Sequence, residues 1–153
     1  MKWLKENVVT VQRILDSLQN LENSYIAPDA NIRDALSLLA TRNVGALVVS
    51  TDGQKVEGII SERDIVRGIN ESGPEMLDHK VSELMTEKVI TCVATDRVVG
   101  IMAIMIKRHL RHIPVLDDGR FVATLSIRDM LTLRLSEVQS EADALREYIA
   151  GHA

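Results

Sequence analysis

The sequence of 153 residues predicts an α+β fold made of two βαββα units, related by a pseudo-twofold axis and flanked by N- and C-terminal helices. The chain resembles itself at a spacing of about 66 residues. Each copy contains an apolar helical face followed by two strand-like runs around an Asp-Gly pair. Each copy also places Ser-x-Arg-Asp where a strand runs into a helix, in "GIISERDIV" at 58–66 and "ATLSIRDML" at 123–131.

The repeat extends over a helix, two strands and a turn, which identifies it as structural. Two apolar triads with the spacing of one helical face coincide under a shift of 66 residues: Ile32, Leu36 and Leu39 with Val98, Met102 and Met105. A unit of about 50 residues has too small a core to be stable by itself, so the two units are expected to pack against each other.

Local signals set the predicted boundaries to within about two to four residues. Asn31 is the predicted N-cap of the first helix of the repeat, and Ser61 opens the second. The predicted segments are an N-terminal helical segment at 1–23, a first unit at 24–71, a linker with a short helix at 72–87, a second unit at 88–136 and a C-terminal helical tail at 137–153.

The two ends of the chain carry apolar residues at alternating three- and four-residue spacing, as helices that pack along one another do. The two series are Leu4, Val8, Val11, Leu15 and Leu18, and Leu131, Leu135, Val138, Ala142, Leu145 and Ile149. A helix lying on the chain's own core and a dimer seam both explain this pattern, and the sequence leaves the choice open.

Composition excludes several classes of protein. The net charge of −4 argues against a general nucleic-acid coat. Cys92 is the single cysteine, which excludes an internal disulfide and a multi-cysteine metal site, and it is interpreted as a small buried hydrophobe. His109 and His112 lack an acidic or cysteine partner at ligand spacing, so no metal is predicted. No apolar stretch approaches the length of a membrane span and the N-terminus has no apolar signal core, so a cytoplasmic location is expected.

At this point the motifs resemble a known family. "PDANIRDALSLL", "NVGALVVSTDG" and "GIISERDIV" in the first unit, with "RHLRHIPVLDDGR" and "LSIRDML" in the second, resemble a tandem pair of cystathionine-β-synthase (CBS) domains, the Bateman module. The resemblance spans residues 10 to 136. It implies a regulatory sensor, not an enzyme, that binds AMP, ADP, ATP, NAD(H) or S-adenosylmethionine in clefts between paired sheets. It also implies a homodimer of CBS pairs acting on a protein partner that the sequence does not identify.

The resemblance also assigns roles to residues. The ribose hydroxyls would be held by Ser61 with Asp64 and by Ser126 with Asp129. The adenine would contact Ala46 and Leu47 in one cleft, and Ile113 and Pro114 in the other. Phosphate contacts would come from Arg111 and His112, with Arg63 and Arg128 adding positive charge beside the two carboxylates.

Each of these motifs also has a purely structural explanation. Serine with an acidic residue three positions later forms a helix capping box, and a cap contributes about 1 kcal/mol. A capping role and a ligand role are compatible. Basic residues at 107–112 complement the dipole at the end of a helix as well as they suit a phosphate. Gly100, inside a predicted helix, either permits a close approach or is simply tolerated at a cost of about 1 kcal/mol.

Three functions from different classes are therefore weighed. The first is a non-catalytic sensor of adenine nucleotides, and the second is a constitutive dimeric scaffold with vestigial clefts. The third is a weak nucleotide-hydrolysing enzyme. The catalytic barrel of inosine-monophosphate dehydrogenase, an enzyme that carries a CBS pair, is excluded because it needs about 200 residues or more on its own.

Overall fold

The fold is that of a computed structural model, which describes residues 8–18 and 23–151. Its helices are α1 (Val11–Ser17), α2 (Ile32–Arg42), α3 (Glu62–Ser72), α4 (Val81–Leu84), α5 (Val98–Arg108) and α6 (Ile127–Gly151), with a 3-10 turn at Pro74–Asp78. Its strands are β1 (Tyr25–Ile26), β2 (Ala46–Val49), β3 (Gly58–Ser61), β4 (Cys92–Val93), β5 (His112–Asp117) and β6 (Arg120–Ser126).

The strands form two three-stranded sheets of the same topology. In the first sheet β1 pairs parallel to β2, which pairs antiparallel to β3. In the second sheet β4 pairs parallel to β5, which pairs antiparallel to β6. Each sheet therefore has its strands in sequence order, and each unit follows the order β-α-β-β-α. The predicted α+β fold with two βαββα units is confirmed.

The helices begin and end at residues whose chemistry suits those positions. The side chain of Asn31 accepts a hydrogen bond from the Asp34 backbone N–H at 2.8 Å, which confirms Asn31 as the N-cap of α2. Helix α2 ends at Asn43 in the left-handed conformation (φ 53°), and α5 ends the same way at His109 (φ 56°). His109 therefore serves as a helix C-cap, a position that tolerates few side chains other than glycine and asparagine.

The two Asp-Gly pairs form connections of different length. Asp118 and Gly119 make a two-residue turn between β5 and β6, with φ of 48° and 74°, the positive values that a tight hairpin turn requires. In the first unit the connection spans 50–57, where Asp52 accepts hydrogen bonds from the backbone N–H groups of Gln54 and Lys55. The Asp-Gly pair thus predicts a connection between two strands in both units. It predicts the two-residue length of that connection only in the second unit.

Two separate aliphatic clusters form the interior, and each is completed by a helix from outside its own unit. Val11 and Ile14 of α1 are buried in the cluster of the second unit, together with Val98 and Leu125. Val81 of α4 is buried in the cluster of the first unit. Helix α1, which precedes the first unit, therefore packs on the second unit, and α4, which precedes the second unit, packs on the first. Neither core is complete without a helix from outside its own unit.

Backbone hydrogen bonds fix both helices in these positions. The N–H groups of Val11 and Gln12 donate to the carbonyls of Asp96 and Ala94 at 2.9 and 2.8 Å. The N–H of Val81 donates to the carbonyl of Ala30 at 2.8 Å. In the N-terminal apolar series, Val11, Leu15 and Leu18 pack on the chain's own core, whereas Val8 is exposed; Leu4 lies outside the described residues.

The tail differs from the N-terminal helix. Helix α6 carries the second unit straight into the tail, and its apolar series remains exposed, with Leu135 and Ile149 each 69% accessible. Arg13 of α1 forms an ion pair with Glu137 of α6 at 2.9 Å, which holds the first part of this helix against the second unit. None of the described helices is long and apolar enough to cross a membrane.

The two units meet through their sheets. All four residues of β2 are buried, so both of its faces are covered, whereas β3 buries alternate residues. Leu47 and Val49 belong to the core of the first unit, and Val48 on the opposite face is equally buried. Strand β2 contacts β6 of the other unit, and the N–H of Phe121 donates to the carbonyl of Gln54 at 2.7 Å. The clefts described below lie at the ends of this interface.

Gly100→Ala is expected to raise the melting temperature by about 1–4 °C. No atom of the described residues outside the helix itself lies within 4 Å of a Cβ built on Gly100. Alanine is better than glycine in a helix by about 0.5–1 kcal/mol, and each kcal/mol corresponds to roughly 2–4 °C. Gly58→Ala is the control, because its Cβ would lie 2.5 Å from Met85 Sδ, and it should lower the melting temperature. Thermal unfolding followed by circular dichroism measures both; a fall for Gly100→Ala would show that this glycine has a packing role.

Candidate functional site

Two capping boxes hold two carboxylates in identical positions. Ser61 is the N-cap of α3, and Asp64 Oδ2 accepts hydrogen bonds from the backbone N–H and the hydroxyl of Ser61, both at 2.8 Å. At the start of α6, Asp129 Oδ2 accepts from the N–H and hydroxyl of Ser126 at 2.8 and 2.9 Å. In return, the Asp64 and Asp129 N–H groups donate to the serine hydroxyls at 3.3 and 3.2 Å. The predicted capping role of these motifs is confirmed.

In both boxes a single carboxylate oxygen makes all of these bonds. No described residue donates a hydrogen bond to Oδ1 of Asp64 or of Asp129. Each aspartate therefore supplies one oxygen to the fold and keeps a second acceptor free. This free acceptor lies beside the N-terminus of a helix, where negative charge is favoured.

Each carboxylate lines a cavity between the two units. The first cleft has a volume of about 360 Å³ and combines Ser61 and Asp64 of the first unit with residues 108–112 of the second. The second cleft has a volume of about 510 Å³ and combines Ser126 and Asp129 of the second unit with residues 43–46 of the first. Both volumes are within the range of small-molecule sites. The exchange of corresponding segments between the clefts follows from the pseudo-twofold relation of the units.

A common wall separates the two clefts. It consists of the five residues that line both: Gly45, Ala46, Glu62, Arg111 and His112. A Cβ built on Gly45 would lie 2.8 Å from Cε1 of His112, so only glycine allows the imidazole to pack across the unit interface at this position. The same five residues therefore bound part of each cleft.

Nine of the twelve site residues assigned from the family resemblance line a cleft. They are Ser61, Arg63 and Asp64 in the first, Ser126, Arg128 and Asp129 in the second, and Ala46, Arg111 and His112 in both. The side chains of Leu47 and Ile113 are fully buried in the two cores, and Pro114 is buried in β5; none of these three lines a cleft. Successive strand residues point to opposite faces, so Leu47 beside Ala46 and Ile113 beside His112 point away from the clefts.

The structure adds lining residues that the sequence did not single out. Arg67, Thr86, Lys88 and Arg108 line the first cleft, and Ser24 and Thr124 line the second. Thr86 is fixed there by two backbone hydrogen bonds with Ile59 of β3, at 2.9 and 3.0 Å. The sequence held one signal for Arg67: it lies one helical turn after Arg63, on the same face of α3.

The inner surfaces of the two clefts differ in polarity. Ser24 Oγ and Thr124 Oγ1 in the second cleft are buried and have no hydrogen-bond partner among the described residues. The repeat pairs these two residues with Ile90 and Ile59, which line the first cleft. A buried hydroxyl without a partner costs about 1–3 kcal/mol, which a ligand atom at this position would offset.

The common wall holds an imidazole that stays neutral at neutral pH. Burial lowers the pKa of His112 below its ordinary value, and the charge of Arg111 lowers it further. Asp129 and Glu62 oppose this shift without reversing it. A neutral His112 can both donate and accept a hydrogen bond, and a bound anion would raise its pKa.

The single cysteine lies outside both clefts. Burial, with a smaller contribution from Asp96, raises the pKa of the Cys92 thiol to about 12, and Cys92 is 2% exposed in the core of the second unit. This agrees with its interpretation as a small buried hydrophobe. Across residues 8–18 and 23–151, no group of three or more His, Cys, Asp or Glu side chains is placed to hold a metal ion.

The stability of the chain is expected to fall as the pH drops below about 6.5, in part because of His112. The pKa of His112 is lowered in the folded state, so the unfolded state binds this proton more tightly and stability is lost as the pH falls towards the folded-state pKa. Urea unfolding of the wild type and of His112→Gln at pH 7.5 and 5.5 measures this contribution. An NMR titration that gave His112 a pKa above 6.5 would contradict it.

Comparisons with known proteins agree with this geometry. The sequence model of the CBS domain matches the chain twice, at residues 22–71 and 81–136. Among characterised sequences, the chain is similar to a protein of Arabidopsis thaliana named CBS domain-containing protein CBSX3, mitochondrial. The two are 37% identical over 131 residues, which is 83% of this chain and 64% of that protein. The chain thus spans less than two thirds of this relative.

Solved structures that superpose on this chain also contain CBS domains. A CBS-domain containing protein of Agrobacterium tumefaciens superposes with a TM-score of 0.78 and 32% identity, over 82% of this chain and 99% of that one. A CBS domain protein of Pyrobaculum aerophilum, complexed with AMP, has a TM-score of 0.70 and 27% identity over 79% and 89%. The CBS domain pair of protein MJ0100, in complex with 5′-methylthioadenosine and S-adenosyl-L-methionine, has a TM-score of 0.69 and 25% identity over 82% and 98%.

Proposed function

We propose that this chain, which belongs to the CBS domain family, is a non-catalytic regulatory module that binds an adenosine nucleotide in the clefts between its paired units. The candidate ligands are AMP, ADP, ATP and NAD(H), with S-adenosylmethionine as a further adenosine compound. The observation that carries the proposal is the free Oδ1 acceptor of Asp64 and of Asp129, each held at a cleft by a capping box.

The chemistry of these two carboxylates suits a ribose. A carboxylate oxygen can accept hydrogen bonds from both hydroxyls of a cis-diol, and such charge-assisted bonds are stronger than neutral ones. The capping bonds fix the orientation of each carboxylate before a ligand arrives, which lowers the cost of ordering on binding. AMP, 5′-methylthioadenosine and S-adenosylmethionine, the ligands of the two similar CBS proteins named above, share an adenine and a ribose with its 2′,3′-cis-diol.

The remaining groups of the nucleotide also have candidate partners. Ala46 offers a small apolar surface to the adenine in either cleft, and Ile59 and Ile90 extend that surface in the first. Arg111 and His112 on the common wall are the proposed phosphate contacts, with Arg63 in the first cleft and Arg128 in the second. All three arginines are exposed, so they are free to reorient towards a phosphate.

The proposed regulatory output acts through the ends of the chain. Ligand binding between the units would change their relative angle, and α6 would transmit that change to whatever covers its apolar side. We take that surface to be the seam of a homodimer of CBS pairs; the downstream protein partner is not identified. The cytoplasm remains the predicted location.

Asp64→Asn combined with Asp129→Asn is expected to weaken adenine-nucleotide binding by about 10- to 100-fold, because a hydrogen bond to a charged group contributes roughly 1.5–3 kcal/mol. Asparagine keeps an oxygen that can accept the capping bond from serine, so the helix ends should survive. Isothermal titration calorimetry with AMP and ATP measures the affinities, and circular dichroism confirms the fold.

Asp34→Asn is the matched control for this experiment. Asp34 is also the third residue of its helix and follows an N-cap, but it lines neither cleft. Its replacement should leave nucleotide affinity unchanged. An unchanged affinity in the double variant would overturn the ribose assignment, and a wild-type chain that bound no adenosine compound would overturn the proposed function itself.

A constitutive dimeric scaffold is the second candidate, and the exposed apolar series of α6 favours it. Leu135, Val138, Leu145 and Ile149 are 51–69% exposed along one helix of 25 residues. An apolar stripe of this length on a long helix is typical of a surface that packs against a partner.

Truncation after Ser136 is expected to convert a dimer to a monomer, because it removes Val138, Leu145 and Ile149 together. Light scattering coupled to gel filtration measures the mass, and Leu145→Ser with Ile149→Ser is the matched variant that keeps the helix at full length. The scaffold hypothesis predicts loss of assembly with no response to nucleotides in the wild type. A truncated chain that remained dimeric would contradict the assignment of this seam.

A further inference from the structure

The two clefts differ strongly in charge. The first cleft is lined by five Lys and Arg side chains against two carboxylates, and the second by two arginines against two carboxylates. The cations of the first are Arg63, Arg67, Lys88, Arg108 and Arg111; those of the second are Arg111 and Arg128. The carboxylates are Glu62 with Asp64 in the first and Glu62 with Asp129 in the second. At neutral pH the lining of the first cleft is therefore cationic and that of the second formally neutral.

Two of the three extra cations, Arg67 and Lys88, have no cationic counterpart under the repeat; the third, Arg108, corresponds to Arg42, which does not line the second cleft. Arg63 and Arg67 lie one turn apart on the face of α3 that carries Asp64, so both reach the same cleft. The corresponding positions of the second unit are Arg128 and Thr132, so the second arginine is missing there. The difference in charge between the two clefts therefore comes from exposed side chains that do not form part of either core.

Lys88 faces these arginines from the segment between α4 and β4. The backbone of this segment is anchored two residues earlier, where Thr86 exchanges hydrogen bonds with Ile59 at 2.9 and 3.0 Å. Arg108, in the last turn of α5, lines the cleft from the second unit. Cations from both units therefore line the cavity that Asp64 also lines, so the tail of a nucleotide held there by its ribose would have cations within the same cavity.

Within the part of the chain that the structure describes, these five cations have no ion-pair partner. All five side chains are exposed. Solvent screens each of them, so a single one contributes little, but several aimed at one polyanion act together. In the second cleft, the carboxylates of Asp129 and Glu62 would repel a polyanion, and only two arginines would attract it. The hydroxyls of Ser24 and Thr124, which have no partner among the described residues, suit a neutral hydrogen-bonding group there.

We propose that the two clefts are specialised: the Asp64 cleft takes an adenosine ligand with a polyphosphate tail, and the Asp129 cleft takes one whose tail is neutral or carries a single phosphate. This proposal rests on the proposed function, because it needs adenosine compounds to bind. It goes further in assigning different ligand classes to the two clefts of one chain. Since the clefts share Arg111 and His112, a polyphosphate in the first would draw these groups away from the second.

Isothermal titration calorimetry with AMP and ATP, without divalent cations, tests the specialisation on two single variants. Asp129→Asn leaves the first cleft with its carboxylate, and Asp64→Asn leaves the second. We expect ATP to bind at least about tenfold more tightly than AMP to Asp129→Asn, a difference of about 1.4 kcal/mol. In Asp64→Asn, AMP should bind as tightly as ATP or more tightly.

A second pair of substitutions keeps the aspartates intact. Arg67→Thr, which copies the residue of the second unit, combined with Lys88→Ala should weaken ATP binding by about tenfold, change AMP binding by less than about threefold, and reduce the salt dependence of ATP binding. Both side chains are exposed, so the fold is not at risk. Lys55→Ala removes one positive charge outside both clefts and should leave the preference for ATP unchanged.

The failures of the two proposals are distinguishable. If adenosine compounds bind but both single-aspartate variants show the same ratio of ATP to AMP affinity, the specialisation is overturned while the proposed function stands. An unchanged ratio after Arg67→Thr with Lys88→Ala has the same consequence. If no adenosine compound binds to the wild-type chain, both are overturned.

Discussion

The packing of α1 on the second unit and of α4 on the first is the constraint on which the rest of the structure depends. Val11 and Ile14 complete one aliphatic core and Val81 completes the other, so neither unit of about 50 residues is left to stabilise itself. The two units also contact each other through β2 and β6 of their sheets. The segments 43–46 and 109–112 follow helices α2 and α5. Both segments contribute residues to the common wall of the two clefts.

Within this frame, each aspartate of the repeated motif has two roles that do not compete. Asp64 Oδ2 satisfies the N-terminus of α3 and Asp129 Oδ2 does the same for α6, while each Oδ1 remains available to a ligand. The capping bonds that the helix ends require thus also hold each carboxylate in a fixed orientation for a ligand. The pseudo-twofold relation copies this arrangement, but the side chains around it are not copied, and the clefts differ in charge and in polarity.

The sequence predicted the features that depend on local chemistry, and it failed where distant segments meet. The caps at Asn31 and Ser61 follow from a few neighbouring residues, and the structure has them as predicted. The family resemblance implied adenine contacts from Leu47 and Ile113, and the structure shows that both side chains lie in the cores, which the resemblance did not indicate. Lys88 reaches the first cleft through an anchor between Thr86 and Ile59, a contact that no local pattern reveals.

Thermal unfolding of the chain with AMP, ADP, ATP, NAD, S-adenosylmethionine and GTP tests the central claim most directly. A ligand present at 100 times its dissociation constant adds about 2.7 kcal/mol of stability, which corresponds to several degrees at roughly 2–4 °C per kcal/mol. The account predicts that at least one adenosine compound raises the melting temperature by this amount and that GTP does not. A melting temperature unmoved by every compound at millimolar concentration would contradict it and favour the scaffold.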